Sequence, residues 1–319
     1  MLKINLPITA LKIDLLSEIK MKIILRSTLV VVLSVLITSC KKSNKEQLEA
    51  KTMMNVSYGA SALQNMDVYL PANRSSATKV IVFVHGGSFI GGDKSDYTAI
   101  VTELVKRNFA VVNINYRLVD GSDLHIRKKS AIVVRDQVDD LSSAVDHVIA
   151  NASEWQISSS KIAVVGHSAG ATLGLLYSYG AKNTGKVKVA VNLAGALDQT
   201  FTDIPNYQNL PAQVFELGYR YTGYEVTVAN EQHYKAISPL YAANANQKIP
   251  TLNIFPQNNV VAGLPKQDRA TFDAFTNRLN QVGVPNKFVQ IPGADHSFST
   301  AGSVQLVFVE LLAYLNANL

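Results

Sequence analysis

Val164-Val165-Gly166-His167-Ser168-Ala169-Gly170-Ala171 joins the end of an apolar run to a small-residue helix start through a Gly-x-Ser-x-Gly turn. Residues 161–165 read as a buried strand and residues 169–182 as a helix, so the serine falls on a cramped strand-to-helix corner. The flanking glycines leave room for backbone to pass, and the serine Oγ is pushed outward. The helix that follows aims free N–H groups and its positive dipole end at that oxygen. A hydroxyl held in this way is presented as a nucleophile, and Ser168 is the candidate.

Upstream, residues 79–84 form a second apolar strand that runs directly into His85-Gly86-Gly87-Ser88-Phe89. Acyl transfer through a tetrahedral intermediate needs hydrogen-bond donors where the carbonyl oxygen becomes negative, and glycines expose backbone N–H groups without a side chain in the way. The amides of Gly87 and Ser88 are assigned that work, with Gly86 enabling the turn and the Ala169 amide as a third donor.

With these two elements in this order, the chain resembles the α/β-hydrolase superfamily, in particular its carboxylesterase branch with a His-Gly-Gly oxyanion loop. That branch includes hormone-sensitive-lipase-like esterases, feruloyl and acetyl-xylan esterases, and arylformamidases. Met66-Asp67-Val68-Tyr69-Leu70-Pro71, Gly92-Asp93-Lys94, Asn115-Tyr116-Arg117-Leu118 and Gly293-Ala294-Asp295-His296-Ser297-Phe298 are similar to the same group. The likeness spans about residues 55–319. It implies an α/β fold: a mostly parallel eight-stranded sheet with helices on both faces and an inserted cap. It also implies a serine carboxylic-ester hydrolase that works through an acyl-enzyme on small or medium acyl esters, without a cofactor.

Nucleophile, acid and base follow one another in that order along this fold. Among six histidines, His296 follows a late strand at 287–291 and precedes an apolar C-terminal helix at 304–315, so it is taken as the base. A neutral imidazole can accept the serine proton and return it to the leaving group. His85 is expected to brace the oxyanion loop and His167 to tune the serine turn. His125, His147 and His233 read as surface or cap residues.

The acid is where the chain departs from the resemblance. It is expected after a seventh strand, read at residues 250–255, yet Pro256-Gln257-Asn258-Asn259 follows and no carboxylate stands there. Asp198, after the sixth strand at 187–193, is therefore taken as a relocated acid. The alternatives are Asn259 or Asn258 as an orienting amide in a slow enzyme, and Asp268 near a helix start, where a carboxylate commonly caps. Asp295 is too close in sequence to His296 to face its Nδ1. A different class of function is a degenerate hydrolase fold that binds a ligand with little turnover.

Apolar runs at 80–84, 110–114, 162–165 and 187–193 alternate with helical stretches, which argues for a parallel sheet covered on both faces. Residues 56–58 and 64–70 read as an antiparallel hairpin at its edge. Residues 199–248 hold Phe201, Tyr207, Phe215, Tyr219, Tyr221, Tyr224, Tyr234 and Tyr241 and read as the cap. Rings with a polar tip suit an acyl or aryl pocket, although such residues also pack an excursion onto its body.

The N-terminus reads as a leader. Residues 21–26 form a short cationic segment, residues 28–37 an apolar run too short to span a bilayer comfortably, and Ile37-Thr38-Ser39-Cys40 resembles a bacterial lipobox. Cys40, the single cysteine of the chain, is the expected lipid-attachment site, with Met21 as the expected start. Residues 1–40 are then leader and signal, residues 41–54 a tether, and residues 55–319 a hydrolase domain held by membrane lipid at the bacterial cell envelope. Residues 1–39 contain five Lys/Arg and two Asp/Glu, so the remainder has 25 basic against 22 acidic residues, a formal +3. That is too small to argue for nucleic acid. No His/Cys/Asp grouping shows metal-ligand spacing.

Overall fold

The computed structural model describes residues 48–261 and 264–319. The expected leader, the Met21 start, the Cys40 attachment site and the first part of the tether lie outside the described residues.

The sheet is built from runs that are apolar because both faces are covered. Strand β3 (Val80–Val84) and strand β4 (Ala110–Ile114) are buried at every position. Strands β5 (Ile162–His167) and β6 (Val187–Leu193) are buried nearly throughout. Such continuous burial is the signature of a parallel sheet between helical layers. Eight strands hydrogen-bond in the order β1-β2-β4-β3-β5-β6-β7-β8, with β7 at Thr251–Asn258 and β8 at Asn286–Asp295. All pairs from β4 to β8 are parallel, whereas β1 (Lys51–Ser57) and β2 (Asn65–Leu70) run antiparallel at the edge.

Alternate residues of β3 serve opposite layers, as the period of a strand requires. Val80, Val82 and Val84 pack with Leu141 of helix α2 (Val134–Trp155) and Leu173 of α3 (Ala169–Tyr179). Ile81 and Phe83 face Val101 and Leu104 of α1 (Thr98–Lys106) and Val307 and Leu311 of α8 (Ala301–Asn318). Truncating a ring such as Phe83, fully buried in this layer, costs about 3–5 kcal/mol.

Two boundaries differ from the sequence reading. The tether expected through residue 54 is replaced from Lys51 by β1, which pairs Lys51 with Leu70 and Thr52 with Tyr69. An edge strand with one solvated side lacks the apolar run that marks a strand in sequence, and its polar residues read as linker. Strand β7 also extends to Asn258, beyond the expected end at residue 255.

The inserted region at 199–248 holds α4 (Ala212–Thr222), α5 (Glu231–Lys235) and α6 (Pro239–Ala242). Phe201, Val214, Val226 and Tyr234 make a small core of their own. Arg220 is fully buried beneath it. Its guanidinium donates to Glu216 Oε1 at 2.6 Å, to the carbonyls of Asp120 at 2.9 Å, Asp123 at 3.0 Å and Ile126 at 2.9 Å, and to that of Ser122. The long loop after β4 is thus folded around a side chain supplied by the cap.

The site follows from the strand order. From β3 the chain moves to β4 on one side and then crosses to β5 on the other, so the loops leaving β3 and β5 lie beside each other at the carboxyl ends of the sheet. Ligand crevices form at such switch points.

Candidate active site

Ser168 lies at φ 51°, ψ −124°, immediately after β5 and at the N-cap of α3. This is a strained conformation for a residue with a Cβ, held by packing from both sides. The flanking glycines are required by contact. A methyl group on Gly166 would come within 2.4 Å of the Gly170 backbone. One on Gly170 would come within 2.2 Å of the Val84 carbonyl oxygen and 2.3 Å of that of His85. The helix therefore starts against the end of β3, and the loop that follows β3 is brought to the serine.

That loop has an unusual backbone. Gly87 lies at φ 120°, and Ser88 and Phe89 follow at φ 52° and 64°. Gly86 is tight against the turn: a Cβ there would sit 3.1 Å from Ser168 Cβ. The Gly87 carbonyl accepts from the amides of Ile90 and Gly91, which closes the loop on itself. The amides of Gly87, Ser88 and Ala169 donate to no acceptor among the described residues. They are therefore free to donate to an acceptor from outside the chain. Tyr221 of α4 donates its hydroxyl to the Ser88 carbonyl at 3.0 Å and meets Phe89 edge-on at 5.1 Å. Of the cap aromatics, Tyr221 is thus the one bonded to this loop. Phe201 and Tyr234 pack against each other inside the cap, while Tyr224 and Tyr241 are exposed.

His296 directly follows β8, and its Nε2 lies 2.9 Å from Ser168 Oγ. Its Nδ1 lies 2.7 Å from Oδ1 of Asn259, the residue after β7. The structure therefore brings Ser168, His296 and Asn259 into one chain of hydrogen bonds and leaves the other acid candidates out. Asp198 is bound instead to the Lys266 ammonium at 2.8 Å and to the Thr200 amide and hydroxyl. Its assignment as the relocated acid is corrected: the loop after β6 turns its carboxylate toward a lysine, away from the imidazole. Asp268 accepts from the Thr271 amide at 3.0 Å and caps helix α7 (Arg269–Gln281). Asn258 donates to the Gly293 carbonyl, and Asp295 accepts from Ser299.

The amide at 259 has only one workable orientation. Its Nδ2 donates to the Gln267 carbonyl at 2.6 Å, and a carbonyl can only accept. Oδ1 must then face the imidazole, so His296 carries its proton on Nδ1 and offers the Nε2 lone pair to the serine hydroxyl. This is the tautomer a general base needs. An unconstrained asparagine could have donated to Nδ1 and reversed the ring's polarity.

His167 ties the parts together in a way no spacing rule announced. Its Nε2–H donates to the His296 carbonyl at 2.8 Å, which leaves Nδ1 to accept from the Tyr97 hydroxyl at 2.8 Å. Tyr97 Oη in turn accepts from the Gly86 amide at 3.2 Å. Burial keeps His167 below the ordinary histidine range. His296 is pushed down to about 4, mainly by burial and secondarily by the neighbouring His167, with Asp295 partly offsetting both. His296 is thus neutral, and able to accept a proton, throughout the physiological range. His85 is buried, stacks on Tyr116 at 4.3 Å and bonds the Gly86 carbonyl, which braces the loop as expected. Tyr97, Gln267 and Lys266 were not anticipated: Tyr97 and Lys266 meet partners from distant parts of the chain, and Gln267 acts through its backbone carbonyl, which carries no residue-type signal. Among the described residues, no group of three or more His, Cys, Asp or Glu side chains could hold a metal ion.

The sheet order and the turn that carries Ser168 define an α/β-hydrolase fold. A family model described as BD-FAE matches residues 66–252, more than half of the chain. The protein belongs to that family. It is similar to the kynurenine formamidase of Danio rerio, with 29% identity over 139 residues that make up 42% of this chain and 42% of that protein. The chain spans between about two fifths and two thirds of the length of the first curated relatives it matches. Solved structures with the same fold include a truncated carbohydrate esterase from gut microbiota, at TM-score 0.65 and 20% identity over 84% of this chain and 98% of that one. A bacterial heroin esterase superposes at TM-score 0.64 with 19% identity, covering 92% of this chain and 91% of that one.

Proposed function

We propose that the protein hydrolyses carboxylic esters of small or medium acyl groups through an acyl-serine intermediate. The observation that carries this reading is the run of hydrogen bonds from Asn259 through His296 to Ser168, with the amide orientation set by Gln267. In the first half-reaction His296 Nε2 takes the Ser168 proton as Oγ attacks the ester carbonyl. The oxygen that becomes negative is held by the amides of Gly87, Ser88 and Ala169. The C–O bond of the leaving group then breaks, and the proton on Nε2 passes to the departing alkoxide. Water repeats the sequence on the acyl-enzyme and restores the serine. Oδ1 of Asn259 keeps the ring oriented but does not supply the negative charge a carboxylate would offer the imidazolium, so turnover is expected to be slower than with an aspartate. Family membership and the structural neighbours, several of them esterases, support the ester as the substrate class.

The soluble domain mixed with short-chain p-nitrophenyl esters should release a burst of nitrophenol followed by steady turnover. Ser168→Ala should abolish both, together with labelling by a fluorophosphonate. If the wild-type domain shows neither turnover nor labelling, the chain is a ligand-binding member of the fold, the reading that the missing carboxylate would favour. We also propose that Cys40 carries a lipid that holds the domain at the bacterial envelope, a reading supported by the leader pattern in the sequence. Incorporation of labelled palmitate that is lost in Cys40→Ala would test it.

A further inference from the structure

Asp198 and Lys266 lie outside the proposed catalytic chain, yet they are placed beside the residue that sets its polarity. Lys266 Nζ lies 2.8 Å from Asp198 Oδ2, 2.7 Å from Thr200 Oγ1, and 2.6 and 2.7 Å from the two oxygens of Asp203. Asp198 is buried, and its second oxygen is taken up by Thr200. The lysine backbone lies at φ 58°, a left-handed conformation that costs free energy for a residue with a Cβ. A surface ion pair needs no such strain. The residue after it is Gln267, whose carbonyl receives the Asn259 Nδ2 proton at 2.6 Å.

We propose that the Asp198–Asp203–Lys266 cluster is a positioning clamp that fixes the Gln267 carbonyl, and through it the orientation of the Asn259 amide, so that an asparagine can serve where the resemblance leads one to expect an acid. This rests on the function proposed above. A carboxylate has two equivalent oxygens and needs no orienting partner. An amide does, because its two ends differ in sign. With the carbonyl of Gln267 fixed, the NH2 end has an acceptor and the oxygen is directed to His296 Nδ1. With that carbonyl free to move, the amide can rotate, donate to Nδ1 and drive the ring proton to Nε2. A proton there blocks acceptance from Ser168. The clamp joins the loop after β6 to the loop after β7, which also accounts for a buried aspartate that lies outside the hydrogen-bond chain to Ser168.

The test is a double-mutant cycle read by kcat and by the histidine tautomer. Lys266→Met in the wild-type background is expected to lower kcat about tenfold with little change in KM. It should also weaken the Nδ1–H signal of His296 in nitrogen-15 NMR of the labelled protein. The same substitution in an Asn259→Asp background, where orientation no longer matters, is expected to lower kcat by less than threefold. Asp198→Asn, which removes the buried charge and keeps the side-chain shape, should show the same dependence on background at smaller amplitude. Equal losses in the two backgrounds, or an unchanged Nδ1–H signal in Lys266→Met, would overturn the clamp and leave Lys266 as a purely structural ion pair. Should Lys266→Met fail to fold, Asp198→Asn and the tautomer measurement decide alone. A wild-type protein without turnover or fluorophosphonate labelling would instead sink the hydrolase reading, and the two failures are distinguishable.

Discussion

Asn259→Asp introduces a charge at the one position where the geometry sets the imidazole's protonation. In the wild type His296 is held down to about 4 by burial and by His167, with Asp295 as the nearby opposing charge. A base must be neutral to act, so the acid limb of kcat/KM is expected near pH 4, well below the usual histidine range. A carboxylate oxygen in place of Oδ1 would face Nδ1 across the same 2.7 Å. With charge centres about 4 Å apart and an effective dielectric of 20, the attraction for the imidazolium is about 4 kcal/mol, or roughly three pKa units. Part of that is lost because the Gln267 carbonyl, 2.6 Å from the atom it now accepts from, would repel a second oxygen. A net rise of about two units remains, which moves the limb to about pH 6. The same charge stabilises the imidazolium that forms as the serine attacks, so turnover above pH 7 should increase about tenfold, equivalent to ~1.4 kcal/mol of barrier. Hydrolysis of p-nitrophenyl acetate from pH 4 to 9, followed at the isosbestic wavelength of nitrophenol and its anion, measures both quantities. An acid limb at the same pH in both proteins would refute the reasoning. It would mean either that His296 is not the base or that residue 259 does not face it.

Other consequences can be checked on stability. Arg220→Met removes four hydrogen bonds from the loop after β4 and strips the buried Glu216 of one of its partners; urea denaturation should show a loss of about 3–5 kcal/mol, and a loss below ~1 kcal/mol would contradict the cap-to-loop linkage. Gly170→Ala forces a methyl group against the carbonyls of Val84 and His85; it should cost about 3 kcal/mol and depress kcat by displacing the oxyanion loop, whereas a crystal structure with that loop unmoved would speak against the contact. Acid should destabilise the fold through His296 and His167. Both remain neutral in the folded protein below the pH at which the unfolded chain's imidazoles protonate. The unfolded chain therefore binds more protons, and the stability present above about pH 6.5 should fall progressively as the pH drops to about 4. Midpoints of thermal unfolding that stay constant across that window would exclude this source of acid sensitivity.

The strand-turn-helix around Ser168 was legible because its determinants are local. A continuous apolar run specifies a strand covered on both faces, and glycines two residues before and after the serine are imposed by contacts within 2.4 Å. The glycine loop after β3 was legible for the same reason, since its glycines directly follow an apolar strand. His296 could be selected by its order along the chain and by the strand before it. Strand β1 was less visible, because an edge strand whose apolar residues Met53, Met54 and Val56 are interrupted by exposed polar ones and themselves stay partly or fully exposed carries no continuous apolar signature. The choice between Asp198 and Asn259 was not legible at all. Composition favours the carboxylate, but Asn259 reaches His296 because β7 runs on to Asn258 and delivers the next residue beside the end of β8.

From its sequence alone this protein has a parallel α/β sheet, a serine held at a strained bend and a histidine late in the chain, each encoded by neighbours within a few residues. Tertiary structure alone decided that an asparagine completes the line to the serine and that its amide points the right way. Those outcomes depend on the loop that carries Asn259, Lys266 and Gln267 meeting the loop that carries Asp198 and the end of β8 that leads into His296, and such meetings are set by the path of the backbone, which residue types in order do not specify.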